Sequence, residues 1–442
     1  MSTPAELTAE QSAAVEYVTA AEAEAARVPG LEGISPRAIE RVVIIGGGAM
    51  GAGIAVACAE AGLATTVIER AEGVASARER VDTTYTRHVK RQQLNDTELA
   101  ARLARVRVTP EWNAVGDAAV IIEAAFEDLA VKCDIFRRLD AMAPAGAVLA
   151  TNTSYLDINA IAAVTTRPSD VIGLHFFAPA NIMRLLEIVR AAASAPDAIA
   201  TGLALATRLK KQSVLAGVCD GFIGNRIFSV YRRHAEYLVE DGASPEQVDA
   251  AVEALGFAMG PFAVADLSGL DIAFAMRRRR DATRSAEERY VAIPDRLVNA
   301  GRLGRKTGAG YYRYDSAGKK QSDQVTADII AAERSAHGIA VRTLNVDDIQ
   351  RRLLAVMANE GAKALAEGIA QRAPDIDVAM VNGYGVPRTL GGPMWAADQR
   401  GLAATLAEVE AAYRVGGAGS EPASLLQELA ASGGTLTGWR RR

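Results

Sequence analysis

The sequence predicts an α/β chain in which a doubly wound, mostly parallel sheet is followed by two tandem all-α domains. Three observations carry this. Between Arg41 and about residue 219, short apolar runs alternate with helical segments, the pattern of strands joined by crossover helices. After Asp220 the strand signal fades and Ala-rich amphipathic segments take over. Within that helical half one block occurs twice. "GPFAVADLSGL" (Gly260 to Leu270) and "GPMWAADQRGL" (Gly392 to Leu402) share Gly-Pro-apolar, an Asp four residues on, and a closing Gly-Leu.

Residues 1–38 read as an appended helix and linker, because Pro29, Gly30 and Pro36 break the Ala/Glu-rich pattern. Residues 39–219 form the sheet domain. "RVVIIG" is a buried strand, "AMGAGIAVACAEAG" a helix ended by Gly62, and "ATTVIER" the next strand. A polar helix follows over about 71–94, then the strands "ARVRVT", "AAVIIEA", "GAVLATN" and "DVIGLHFF", with a helix between Val131 and Met142. Residues 220–320 make the first helical domain and residues 340–442 the second. The echo of "SPEQVDAAV" in "APDIDVAMV" supports reading the second as an internal repeat.

Composition narrows the class. A chain of 442 residues, 50% hydrophobic and 23% charged with net charge −4, buries several cores and offers no electrostatic footprint for nucleic acid. The run Arg277 to Arg280, followed by Asp281, Glu287 and Glu288, reads as a solvated helix face. Cys58, Cys133 and Cys219 are scattered, without a disulfide framework or a zinc pattern, which points to a reducing, cytoplasmic setting. Val42 to Ala59 carries no charge and imitates a membrane span, but its five glycines fit a strand turning into a buried helix. No membrane segment or N-terminal targeting signal is expected.

"GGGAMG" places Gly46, Gly48 and Gly51 in the G-x-G-x-x-G pattern, after a predicted strand and at the start of a predicted helix, so that Ala49 and Met50 also fall at the phosphates. Glu69 ends the second strand, where an acid accepts hydrogen bonds from the adenosine ribose and repels a 2′-phosphate. Together these predict a Rossmann-type dinucleotide site that takes NAD. The stretch "GLHFFAPANIMRLLEIV" then holds one of only four histidines, His175, in one apolar run and Glu187 in the next. Two readings compete for it. One is a core histidine satisfied by a carbonyl, with a glutamate aimed at solvent. The other is a general base whose tautomer a carboxylate fixes.

From Arg41 to about Tyr314 the sequence resembles L-3-hydroxyacyl-CoA dehydrogenases. The matching pieces are "GGGAMGAGIA", "EAAFEDLAVK", "TNTSYLDI", "GLHFFAPA…LLEIV", "DGFIGNRI", "MGPF…DLSGLD" and "GRKTGAGYY". The second helical domain is similar to the last domain of multifunctional fatty-acid oxidation enzymes, whose hydratase half this sequence lacks. The resemblance implies NAD-dependent oxidation of an acyl-CoA substrate, as in β-oxidation. It implies that His175 is the base and Glu187 its orienting partner, and that Ser154 and Asn225 hold the substrate's 3-oxygen and thioester region. It also implies that Glu127, Lys132 and Lys306 touch the dinucleotide. By residue type alone, Ser154 equally caps a turn, Lys306 is surface charge and Lys132 starts an exposed helix face.

Two departures stand out. Ala178 occupies a position where many members carry a cofactor-contacting Asn. The CoA-contacting Ser and Lys of single-domain relatives fall on Tyr85 and Gln92, leaving Arg87, Lys90 and Arg91 as candidate cations for the CoA phosphates. Two rival readings remain: a dehydrogenase of a free 3-hydroxy acid, and a non-catalytic NAD-binding scaffold for a separate enoyl-CoA hydratase. Single-domain relatives dimerise through the helical domain. Here the repeat is expected to cover that face within one polypeptide and to carry no catalytic residues of its own. The chain is therefore expected to be a monomer or a homodimer, with a separate enoyl-CoA hydratase as its other partner.

Overall fold

The computed structural model describes residues 7–90, 95–281 and 284–441, with the side chains of 88–90 set aside. Eight strands form one sheet. They are β1 (Arg41–Ile45), β2 (Ala64–Ile68), β3 (Val106–Thr109), β4 (Val120–Glu123), β5 (Val148–Thr151), β6 (Val171–Phe176), β7 (Leu185–Arg190) and β8 (Gln212–Gly217). The order is β3-β2-β1-β4-β5-β6-β7-β8. Every pair is parallel except β6/β7. Chain order runs outward in both directions from β1, so the ends of β1 and β4 form the crevice where a doubly wound sheet takes its ligand.

The local chemistry explains these elements. β4, β5 and β6 are buried along their whole length, as a sheet covered on both faces requires. The helix Ala49–Glu60 is apolar on every side and buried from Gly51 to Ala59, which accounts for the uncharged stretch from Val42. The polar helix runs over Val74–Lys90, and a separate helix, Asp96–Leu103, follows it. That second helix was not anticipated, although Asn95 and Glu98 form a reciprocal capping box at its start. The expected linker is docked. Arg37 donates its backbone N–H to Thr201 Oγ1 at 2.9 Å, and its guanidinium pairs with Asp197 and Asp170, each at 2.8 Å.

The chain forms two compact units, and they do not follow chain order. One unit holds residues 19–225 and 367–384; the other holds 1–18, 226–366 and 385–442. The expected division at 220 lies close to the break after Asn225, no break falls near 340, and 367–384 joins the sheet for a packing reason. Its helix Ala373–Gly383 lies against β7 and β8, and Gly217 N–H donates to Ile369 O at 2.8 Å along the sheet edge.

In the other unit the repeated block does the same work twice. Asp266, near the end of helix Pro261–Ser268, accepts from the N–H groups of Tyr311 and Tyr312 at 2.8 and 2.9 Å and from Tyr314 OH at 3.0 Å. Asp398, near the end of helix Pro393–Arg400, accepts from the N–H groups of Leu436 and Thr437 at 2.8 and 2.9 Å and from Thr437 Oγ1 at 2.6 Å. Each carboxylate ties its helix to a later segment. Asp266→Ala would strand three donors around a buried site and is expected to lower the unfolding free energy by about 3 kcal/mol. The neighbouring Leu267→Ala, at a side chain 55% exposed, should stay within about 0.5 kcal/mol. Urea midpoints that fell equally for both would remove Asp266 as a tie.

The arginine run needs a correction. Arg278 is solvated as expected, but Arg277 is enclosed between Glu236 and Asp295, at 2.9 Å from each, and stacks over Tyr290. Successive helix residues differ by about 100° in direction, so one member of the run faces inward.

Candidate active site

The Gly-rich loop joins β1 to the helix Ala49–Glu60, and two glycines of the pattern, Gly46 and Gly51, answer different steric demands. Gly46 has φ +102°, and a Cβ there would lie 2.8 Å from Ala124 O on the β4 side of the crevice. A Cβ on Gly51 would sit 1.9 Å from Gly46 O, so the helix can approach the strand only because the side chain is missing. Gly48 has nothing within 4 Å and caps the helix without a side-chain hydrogen bond. The start of this helix, its positive end, therefore has room beside Gly48, which fits a pyrophosphate. Glu69 follows β2, and its Oε2 accepts from Gly47 N–H at 2.7 Å, holding an acid beside the loop. Arg70 turns away, 83% exposed, toward Glu72.

The β6/β7 pairing answers the question raised by His175. The two strands are antiparallel with His175 directly opposite Glu187. Glu187 Oε2 lies 2.6 Å from His175 Nδ1, and both side chains are buried. The other carboxylate oxygen, Oε1, accepts from Ile223 N–H at 3.1 Å and Gly224 N–H at 2.9 Å. On the far side of the ring, His175 Nε2 is 3.2 Å from Ser154 Oγ. The imidazole is thus fixed at one nitrogen and presented at the other, with Phe177 and Phe222 against the ring. Asn225 follows Gly224 directly, and its Oδ1 accepts from Tyr384 OH at 2.7 Å.

A second network sets Ser154. Glu127 Oε1 accepts from Thr153 Oγ1 at 2.6 Å and from Ser154 N–H at 2.8 Å, which shapes the loop after β5. Lys132 was expected to touch the dinucleotide, and this needs correcting. Its side chain has no exposed surface, and its ammonium lies 2.8 Å from Glu123 and 3.4 Å from Glu127. A buried ammonium requires such partners, and Lys132 therefore reaches the site only through Glu127. Lys306 belongs to the other compact unit, where it pairs with Asp271 at 2.5 Å.

Beside the loop lies a cavity of about 520 Å³, bounded by Ala49, Met50, Arg80, Arg87, Ala178 and Ile182. Arg80 also donates to Gly47 O at 3.1 Å. Tyr85, where single-domain relatives place a Ser, is buried with its hydroxyl on Val56 O at 3.3 Å. Arg91, Gln92 and the Lys90 side chain lie outside the described residues.

Comparison with known proteins fits this geometry to a family. Residues 41–219 match the 3-hydroxyacyl-CoA dehydrogenase NAD binding domain, and residues 221–314 match the C-terminal domain of the same family. The crystal structure of (S)-3-hydroxybutyryl-CoA dehydrogenase from Ralstonia eutropha is 32% identical, with a TM-score of 0.59, over 63% of this chain and 100% of that one. The chain belongs to the 3-hydroxyacyl-CoA dehydrogenase family. A 3-hydroxybutyryl-CoA dehydrogenase from Escherichia coli matches over 89% of this chain and 99% of its own, with a TM-score of 0.77 and 28% identity. The peroxisomal bifunctional enzyme of Danio rerio is 37% identical over 92% of this chain, which spans 58% of that enzyme's length.

The match to the family's NAD binding domain supports NAD as the cofactor, and the acid at Glu69 fits it. No helix among the described residues is long and apolar enough to cross a membrane. Of the residues singled out in the sequence, the structure gathers Ser154, His175, Glu187, Asn225 and Glu127 in one unit. Glu123, Thr153, Arg80 and Tyr384 were missed. Glu123 stands within the quoted stretch "AAVIIEA", where a carboxylate ending an otherwise apolar strand was the available signal.

Proposed function

We propose that the protein oxidises an L-3-hydroxyacyl-CoA to the 3-oxoacyl-CoA, reversibly, with His175 as general base. The hydrogen-bonded line Ser154 Oγ, His175 Nε2, His175 Nδ1, Glu187 Oε2 carries this reading. Bound NAD supplies the hydride acceptor. Glu187 holds the proton on Nδ1, which leaves the Nε2 lone pair facing Ser154 and the substrate hydroxyl. As the C3–H bond breaks and C3=O forms, Nε2 takes the hydroxyl proton, and the buried carboxylate stabilises the resulting imidazolium. Ser154 Oγ and the Asn225 amide hold the substrate oxygens. Gly46, Gly48, Ala49, Met50, Gly51 and Glu69 hold the dinucleotide, and Glu127 shapes its rim. Arg80 and Arg87 face the cavity and suit the CoA phosphates.

The scattered Cys58, Cys133 and Cys219, with no disulfide among them, suit a reducing compartment such as the cytoplasm. The duplicated helical block supports a monomer. A separate enoyl-CoA hydratase supplies the substrate by hydrating an enoyl-CoA.

NADH formation by the purified chain tests this reading. Activity is expected on a panel of 3-hydroxyacyl-CoA thioesters from butyryl to palmitoyl, and little on free 3-hydroxybutyrate. Equal turnover of the free acid would move the substrate class, and no NADH from any thioester would leave a non-catalytic scaffold. In the same assay kcat/KM should favour NAD over NADP by at least about tenfold, or ~1.4 kcal/mol, because Glu69 repels a 2′-phosphate. Equal efficiency would hand control of the site to Arg70.

A further inference from the structure

We propose that Tyr384, from the expected second helical domain, positions the Asn225 amide for substrate, so that a late segment of the chain completes the active site. This rests on the dehydrogenase reading above. Tyr384 ends the helix Ala373–Gly383. Its hydroxyl donates to Asn225 Oδ1 at 2.7 Å, and an amide whose oxygen is taken turns its Nδ2 donors the other way, toward an incoming carbonyl. The ring stands edge-on to Phe177, with centroids 5.5 Å apart, and Phe177 in turn lies 4.4 Å from the His175 ring. A Cβ on Gly224 would fall 2.3 Å from the Tyr384 ring, so the residue before Asn225 has to be glycine for the tyrosine to enter. Burial, with the Glu187 charge nearby, holds the phenol well above its usual range, which keeps it a neutral donor.

The tyrosine arrives on a fixed support. At the helix start Arg372 pairs with Asp375 at 2.8 Å and with Glu24 at 3.2 Å. Near its end Asn382 donates to Glu22 Oε1 at 3.0 Å. Gly383 comes so near the sheet that a Cβ would meet Leu185 at 2.4 Å. A side chain needed only for packing at that point has no use for a hydroxyl, whereas this one ends on the amide assigned to substrate. The expectation that the repeat carries no catalytic residue of its own is kept: Tyr384 would only position one that binds.

Steady-state kinetics on the full chain with 3-hydroxybutyryl-CoA and NAD test this. Tyr384→Phe keeps the ring and removes one hydrogen bond, and kcat/KM should fall about 5–10-fold while the NAD Kd and Tm stay as in the wild type. Asn225→Ala should fall further, and adding Tyr384→Phe to it should cost nothing more, because the tyrosine acts through that amide. Wild-type kcat/KM in Tyr384→Phe, or effects that multiply in the double variant, would overturn the proposal. Should Tyr384→Phe melt below the assay temperature, Asn225→Asp decides. It keeps the acceptor for Tyr384 and removes the amide donor, so it should lose as much activity as Asn225→Ala, and near-wild-type turnover would overturn the proposal. An inactive wild type would sink the dehydrogenase reading and this proposal with it. An active wild type beside an unchanged Tyr384→Phe would sink this proposal alone.

Discussion

His175→Gln is expected to lower kcat by about 10²–10⁴-fold, the contribution of a positioned general base. The glutamine amide has no lone pair of suitable basicity where Nε2 now faces Ser154 Oγ at 3.2 Å, so the hydroxyl proton must leave to water. NAD affinity should hold, since the contacts expected for the dinucleotide come from the Gly-rich loop and Glu69. Stability should change little, because the amide can still meet Glu187 inside the sheet. Measured kcat near wild type at neutral pH, with the fold intact, would take the base assignment away from His175.

Glu187→Gln should be nearly as severe, for a reason visible in its surroundings. Two N–H groups, from Ile223 and Gly224, already donate to Oε1. A glutamine there must keep its oxygen toward them and turn its NH₂ toward His175 Nδ1. The imidazole then accepts at Nδ1 and carries its proton on Nε2, the nitrogen that has to be vacant. The wrong tautomer and the lost imidazolium partner together cost about 10³–10⁴-fold, as in serine-protease triads altered at the acid. Substrate KM should move far less than kcat. A Glu187→Gln enzyme within about tenfold of wild-type kcat would show that the carboxylate packs against the histidine without setting its proton.

Much of this was legible along the chain. The strands β1 and β4 are short, β-branched apolar runs, and the G-x-G-x-x-G spacing is a steric requirement that only glycine meets at Gly46 and Gly51. The pairing of His175 with Glu187 was legible as two apolar runs joined by a short link, but register fixed it, and register is a property of the sheet. The role of Lys132 was not legible. Its position after "EDLAV" suits an exposed helix face equally well, and only burial beside Glu123 distinguishes the two. Tyr384 was still less so, being separated from Asn225 by most of the helical half. The separate helix at Asp96 could have been found from "NDTE", whose Asn and Glu stand at capping-box spacing.

The route of the chain back to the sheet has a consequence for biosynthesis. A ribosome has completed β8 long before it makes residues 367–384, which later line that strand at Ile369 and cover it with the helix Ala373–Gly383. In the interval the nascent chain presents an apolar, hydrogen-bond-hungry sheet edge to whatever surrounds it. Slow translation of the helical half, or a premature stop within it, would therefore yield a species prone to pair edge to edge with its own copies. The demand for a chaperone falls on the central stretch of synthesis, after the dinucleotide fold is already recognisable and before its last strand is sealed.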